Sequence, residues 1–245
     1  MKSKKNSIKE NLKTLLFAVV AAVIIRSFFF EPFSIPSGSM YPTLKVGDYL
    51  FVSKYHYGFS KHSFPFSPPI IKDRIFYNVP ERGDVVVFKT PEDNSTDYIK
   101  RLIGLPGDRV KILDDVIHIN DTPIKRVKVN SEMYKFFDVE RFNEKLSNGK
   151  NYMIYEMAEK ISYLDTNNFK EIIVPDDHFF VLGDNRDNSQ DSRFIGTIPK
   201  KNLVGKAIVV FLSFDTDIGS WWKFWTWYPA LRKDRILFSL LPDEE

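Results

Sequence analysis

Ser39 stands in the run Pro36-Ser37-Gly38-Ser39-Met40-Tyr41-Pro42-Thr43-Leu44, where no regular helix can form. Pro42 pushes Tyr41 toward extended geometry, and Gly38 tolerates backbone angles that other residues avoid. A hydroxyl on such a turn is expected at a loop tip rather than buried. Serine is a weak nucleophile at its own pKa and needs a base within hydrogen-bond reach. The four histidines, His56, His62, His118 and His178, are scattered without a triad-like setting and read as surface or structural residues. Lysine replaces histidine only if its ammonium loses its proton near neutrality, a fall of several units from ~10.4 that burial among apolar groups can produce. Lys100 has the neighbours for it in Tyr98, Ile99, Leu102 and Ile103. On a strand, Lys100 and Tyr98 share one face and Ile99 takes the other.

A third polar run, Gly183-Asp184-Asn185-Arg186-Asp187-Asn188-Ser189-Gln190-Asp191-Ser192-Arg193, is rich in carboxylates. From Asp187 it opens like a calcium loop, but Ser192 stands where the turn glycine belongs and Ile198 where the closing glutamate belongs. No metal is expected, and no cofactor. The chain has no cysteine, which excludes disulfides, thiolate catalysis and cysteine-ligated zinc together.

These residues need a scaffold, and 245 residues leave room for one large domain or two small ones beside an anchor. An aromatic content of 15%, with 22 phenylalanines, supports a substantial core. Lys2, Lys4, Lys5, Lys9 and Lys13 stand against Glu10 alone, so the formal charge of +3 belongs to a basic tail over 1–13. The rest is close to neutral and shows no nucleic-acid-binding face. Thr14 to Ile25 carries no charge, and its extension through Arg26 to Phe30 reaches the short end of the ~17–25 residues that span a bilayer. A transmembrane anchor is therefore expected over 14–30, with the lysine-rich side cytoplasmic and the remainder outside. A cleavable signal peptide begins the same way. Its only small-x-small pair near the run is Ser37-Gly38-Ser39, however, and Phe28-Phe29-Phe30 are bulky where a cleavage region is small. An uncleaved single span is the expectation.

Beyond residue 44, short apolar or alternating runs predict strands at 49–52, 84–89, 98–103, 109–113, 116–119, 171–174, 178–182 and 207–212. Asp114-Asp115 predicts a hairpin turn. The segment 131–146 has the one helical pattern. Residues 61–80, with Pro65, Pro68, Pro69 and Pro80, predict a long irregular loop. The expected fold is mostly β: an antiparallel sheet or partly open barrel from 31–113 and 176–215, with an accessory subdomain inserted at 114–175. All four tryptophans lie in 221–227, within an aromatic and basic segment (216–245) suited to the bilayer interface.

In this order behind an anchor, three runs together resemble bacterial type I signal peptidase, the Ser-Lys membrane protease, from about Ser27 to about Leu212 with a gap in the middle. They are the Ser39 turn, Asp97-Tyr98-Ile99-Lys100-Arg101-Leu102-Ile103-Gly104-Leu105-Pro106-Gly107-Asp108, and Gly183 to Arg193. The resemblance implies Ser39 as nucleophile and Lys100 as general base. It implies that the Ser37 hydroxyl joins the Ser39 amide in holding an oxyanion, each such donor typically worth ~3–4 kcal/mol. Ser189 would hydrogen-bond and orient the lysine, and Asp191 and Arg193 would form a structural ion pair. Phe33, Ile35, Met40, Leu44 and Ile99, with Tyr98 beside them, would bind the first and third residues before the cut, admitting only small side chains. Implied partners are the signal peptides of exported preproteins, cleaved after Ala-x-Ala sites, and membrane lipid; no nucleic acid is implied. The implied location is the bacterial cytoplasmic membrane, and oligomeric state is not legible. A self-cleaving repressor shares the Ser-Lys pair but carries a DNA-binding motif where this chain has its span. A Ser-His peptidase would need histidine at 100. A membrane-tethered β domain binding envelope proteins without catalysis is the alternative from another class.

Overall fold

The structure, a computed structural model, describes residues 2–64, 67–68, 71, 73–159, 166–219 and 223–241. Trp221, Trp222, Pro65 and Pro69, named above, lie outside the described residues. Helix α1 (Lys2–Phe28) opens the chain, and its stretch Lys9–Phe28, mean hydropathy 1.7, is long and apolar enough to cross a membrane. The helix ends earlier than the expected 30. Phe30 already begins a strand and pairs with Ser53, and Pro32 has no N–H for a helical bond. Arg26 grips Glu31 through Nε at 2.8 Å, and the buried Lys54 takes the second oxygen of Glu31 at 2.8 Å. Phe28 packs edge-on against Phe59 and Phe64, which fixes the helix end to the domain.

The strands are β1 (Phe30–Ser34), β2 (Asp48–Ser53), β3 (Val85–Lys89), β4 (Asp97–Gly104), β5 (Arg109–Leu113), β6 (Val116–Ile119), β7 (Thr122–Pro123) and β8 (Lys125–Tyr134). After them come β9 (Phe137–Lys145), β10 (Asn151–Met157), β11 (Phe169–Ile173), β12 (His178–Leu182), β13 (Ile198–Pro199), β14 (Leu203–Ser213) and β15 (Phe238–Ser239). One sheet runs β1-β2-β14-β3-β4-β12-β13, with β15 on β14; the others run β10-β9-β8 and β11-β5-β6-β7. All pairings between these strands are antiparallel, as the expected mostly β fold requires. Asp114 and Asp115 both take positive φ, the mirror-image turn that matches strand twist in a two-residue hairpin.

The helix expected over 131–146 is absent; β8 and β9 form a hairpin there. Apolar residues at 139, 142 and 146 imitate helical spacing, but Lys135 takes φ 56° and reverses the chain before them. Pairing with β10 on the far side then fixes β9 as a central strand. The irregular loop after residue 58 is tied down by buried Arg74, which donates to the carbonyls of Tyr57, Gly58 and Leu203.

Among the described residues, three apolar clusters form the core. One packs Ile35, Met40, Leu44, Leu50 and Val52 with Val85, Val87 and Val210; a second joins Val86, Phe88, Leu102, Phe179 and Val181. The third runs from Ile103, Val110 and Phe180 to Leu146 and Ile154, joining main-sheet residues to the 114–175 segment. A buried charge pair crosses the same boundary: Arg186 holds Glu144, which also accepts from Tyr152 at 2.7 Å. Removing one partner of such a pair leaves the other charge uncompensated, so Glu144→Ala is expected to cost about 3–5 kcal/mol. Denaturant unfolding in detergent checks this. A loss below about 1 kcal/mol, the level of an exposed pair, would show that the pair does not hold the boundary.

Candidate active site

The Ser39 turn follows β1. Its base is closed by Ile35 N–H donating to the Asp48 carbonyl (2.9 Å) and Leu44 N–H to that of Met40 (2.9 Å). Its outer side is held from the third polar run. The Asn185 backbone N–H donates to the Ser39 carbonyl and its side-chain amide to the Gly38 carbonyl, both at 3.0 Å. Ser39 is consequently only 9% exposed, contrary to the loop-tip hydroxyl expected from its turn residues. The difference arises because residues 183–191, remote in sequence, fold over the turn. Gly38 does not use a left-handed conformation; its missing side chain makes room for the Tyr134 hydroxyl.

Lys100 projects from β4 and is buried at 4% exposure. Its Nζ lies 2.7 Å from Ser39 Oγ and donates to the Ile99 carbonyl at 2.9 Å, with the Tyr98 ring centroid at 5.4 Å. Burial brings the ammonium down from its usual value to about 8, while the Asp191 and Asp184 carboxylates hold it from falling further. None of the four histidines reaches Ser39: His56 meets Ser53, His62 meets Ser67, and His118 and His178 meet the carbonyls of Val116 and Asp176.

Ser189 Oγ makes no hydrogen bond to Lys100. It is buried without a partner against Gly183, beside the Ser39 carbonyl. Lys100 Nζ is engaged instead by Ser39 and the Ile99 carbonyl. Ser37 is exposed two residues before Ser39. The Ser39 N–H meets no acceptor among the described residues and is free to donate. Asp191 and Arg193 form a two-pronged pair, Nε and Nη2 each at 2.9 Å, and Asp191 also accepts from the Gly183 N–H at 3.0 Å. Phe33, Ile35, Met40, Leu44 and Ile99 meet in one apolar cluster. Ile35, Met40 and Leu44 are sealed within it, while Phe33 and Ile99 keep part of their surface.

Three further residues build the site. Asn185 pins the turn and Gly183 admits the Ser39 carbonyl. Arg101 clamps Asp184 with Nε–Oδ1 2.8 Å and Nη2–Oδ2 2.6 Å while reaching the Gly83 carbonyl and Thr43 Oγ1. All three stand inside the polar runs that drew attention in the sequence, but their tasks depend on partners far along the chain. Asp184, Asp187 and Asp191 serve separate partners: Arg101, the Met157 N–H and Arg193.

The site thus joins a buried serine to a buried lysine in an antiparallel β domain that follows a helix able to cross a membrane. The family described as signal peptidase, peptidase S26, matches residues 8–212. A Signal peptidase I of Rickettsia typhi (strain ATCC VR-144 / Wilmington) is 38% identical over 98% of this chain and 96% of its own. One of Rickettsia massiliae (strain Mtu5) is 41% identical over 95% and 93%. The crystal structure of a signal peptidase I from Enterococcus faecalis V583 is similar over 53% of this chain and 97% of its own, at 26% identity and a TM-score of 0.32. The chain belongs to the signal peptidase family, peptidase S26. It is a membrane-anchored serine peptidase.

Proposed function

We propose that this peptidase removes signal peptides from exported preproteins by a Ser39–Lys100 dyad, cutting after small-x-small sites of the Ala-x-Ala kind. The contact of 2.7 Å between Lys100 Nζ and Ser39 Oγ, inside an environment that lowers the lysine to about 8, carries the reading. Neutral Lys100 takes the proton from Ser39 Oγ as the oxygen attacks the scissile carbonyl. The Ser39 N–H and the Ser37 hydroxyl receive the oxyanion. Lys100 then passes its proton to the departing amine, and the acyl-enzyme is hydrolysed by water with Lys100 again as base. Ser189 Oγ, buried and unpartnered beside the turn, orients the amine once Ser39 has reacted. Phe33 and Ile99, over the sealed floor of Ile35, Met40 and Leu44, form shallow apolar seats that exclude large side chains, with Tyr98 at their edge.

The lysine-rich start lies in the cytoplasm of a bacterial cell and the β domain on the outer face of its inner membrane. Segment 114–175 is an accessory subdomain of that domain. Trp225, Trp227 and Tyr228 are exposed near Arg232 and Lys233 and dock on lipid headgroups. The test is cleavage of a purified Ala-x-Ala preprotein by the detergent-solubilised chain beside Ser39→Ala. Cutting after the second alanine by wild type alone is the expected outcome. A folded wild type inactive on several preproteins with lipid supplied, or an active Ser39→Ala, would sink the proposal.

A further inference from the structure

A cleft of about 360 Å3 opens between the nucleophile turn and the β9–β10 pair, and nothing in the mechanism above uses it. Thr43, Arg101, Arg141, Asn143, Lys150 and Tyr152 line it, and among the described residues no aspartate or glutamate does. Two of its cations are already neutralised: Arg101 by Asp184, and Lys150 by Glu81 and Asp84. Arg141 is not. It forms no ion pair among the described residues, and its Nε is shut off from solvent with no acceptor. Asn143, two residues along and therefore on the same face of β9, has its Oδ1 buried and unpartnered as well. Unmet buried polar groups are few in a folded protein, and two in one cleft on one strand face mark a place made for a ligand.

The ligand's chemistry follows from the two groups. A guanidinium without a counter-ion takes a carboxylate, in fork-to-fork geometry. An amide oxygen without a donor takes an N–H, which a bare anion lacks and a peptide backbone has. We propose that the cleft receives an acidic residue of an extended peptide, its side-chain carboxylate on Arg141 and a backbone N–H on Asn143 Oδ1. Pro42 and Thr43, three and four residues beyond Ser39 on the same turn, form part of the wall, so the cleft lies a few residues along the chain from the nucleophile. Given the peptidase reading above, on which this assignment rests, the peptide is the early mature segment of the preprotein. Arg141 is then a specificity-determining residue.

The experiment scans a single Glu, or Gln as control, through the first eight residues after the cut of one preprotein. Wild type, Arg141→Gln and Arg141→Lys are compared by KM and kcat separately. At one position Glu is expected to lower KM by about three- to tenfold relative to Gln, as a partly buried charge-assisted pair would. The preference, read in KM, should vanish in Arg141→Gln and persist in part in Arg141→Lys. Equal loss on Glu and Gln substrates, or a Glu preference that survives Arg141→Gln, overturns the assignment. Competition by hexanoate that depends on Arg141, with no Glu preference at any position, would assign the cleft to free carboxylates and overturn the peptide. Binding of a labelled Glu-containing mature-segment peptide to wild type but not to Arg141→Gln, read by fluorescence anisotropy, tests the cleft apart from cleavage. If Arg141→Gln does not fold, Asn143→Leu replaces it there and is expected to weaken the same peptide.

Discussion

Lys100→Met is expected to lose turnover by roughly 10^4-fold or more, the scale on which removal of a dyad or triad member acts, while its thermal midpoint stays level or rises. The second half follows from burial: an apolar isostere replaces an amine that is desolvated and lacks a paired carboxylate at contact distance. Loss of activity with retained stability separates a base from a structural lysine. The wild-type pH profile supplies the sign. The reactive form is the neutral amine, present above the folded pKa of about 8 and lost below it. kcat/KM should therefore rise about tenfold per unit up to pH 8 and then level, standing about a hundredfold below its plateau at pH 6. Bound substrate shuts out more water and lowers the amine further, so the kcat profile should lie to the acid side of the kcat/KM profile. A flat profile between pH 6 and 9, or a Lys100→Met enzyme that still turns over, would remove the lysine as base.

What could be read from the sequence divides by range. The strands around Val85-Val86-Val87 and Tyr98 to Ile103 were legible because β-branched and apolar residues declare themselves within a few positions. The Asp114-Asp115 turn was legible because its chemistry is local. The 131–146 pattern misled because its apolar spacing fits both periods and only pairing with β8 and β10 decides between them. The serine and lysine stood out in their runs, but nothing near Ser39 foretells its burial. That depends on Asn185 and Gly183, which arrive nearly 150 residues later. Charge pairing was similarly hidden. Asp184 was one of several carboxylates in a polar run until Arg101, on the opposite face of β4 from Lys100, closed on it.

Gly183→Ala is expected to lower kcat by about a hundredfold, the effect of misplacing a reacting group by about 1 Å. An added Cβ would meet Ser189 Oγ, Ser189 Cβ at 2.5 Å and the Ser39 carbonyl oxygen at 2.6 Å. The carbonyl is backbone and cannot swing aside, so the nucleophile turn must shift away from Asn185 and with it Ser39 Oγ from Lys100. Gly183 is not in the left-handed region, so alanine strains no dihedral there and the effect is steric and local. Gly107 offers the opposite case. It holds φ at 82° with nothing within 4 Å of the added carbon. Gly107→Ala should therefore cost on the order of 1 kcal/mol of stability through backbone strain and leave kcat unchanged. Steady-state kinetics and thermal unfolding on both variants check the pair. Full activity in a folded Gly183→Ala would mean that the 183–191 segment does not set the position of Ser39, and that the turn holds its own geometry.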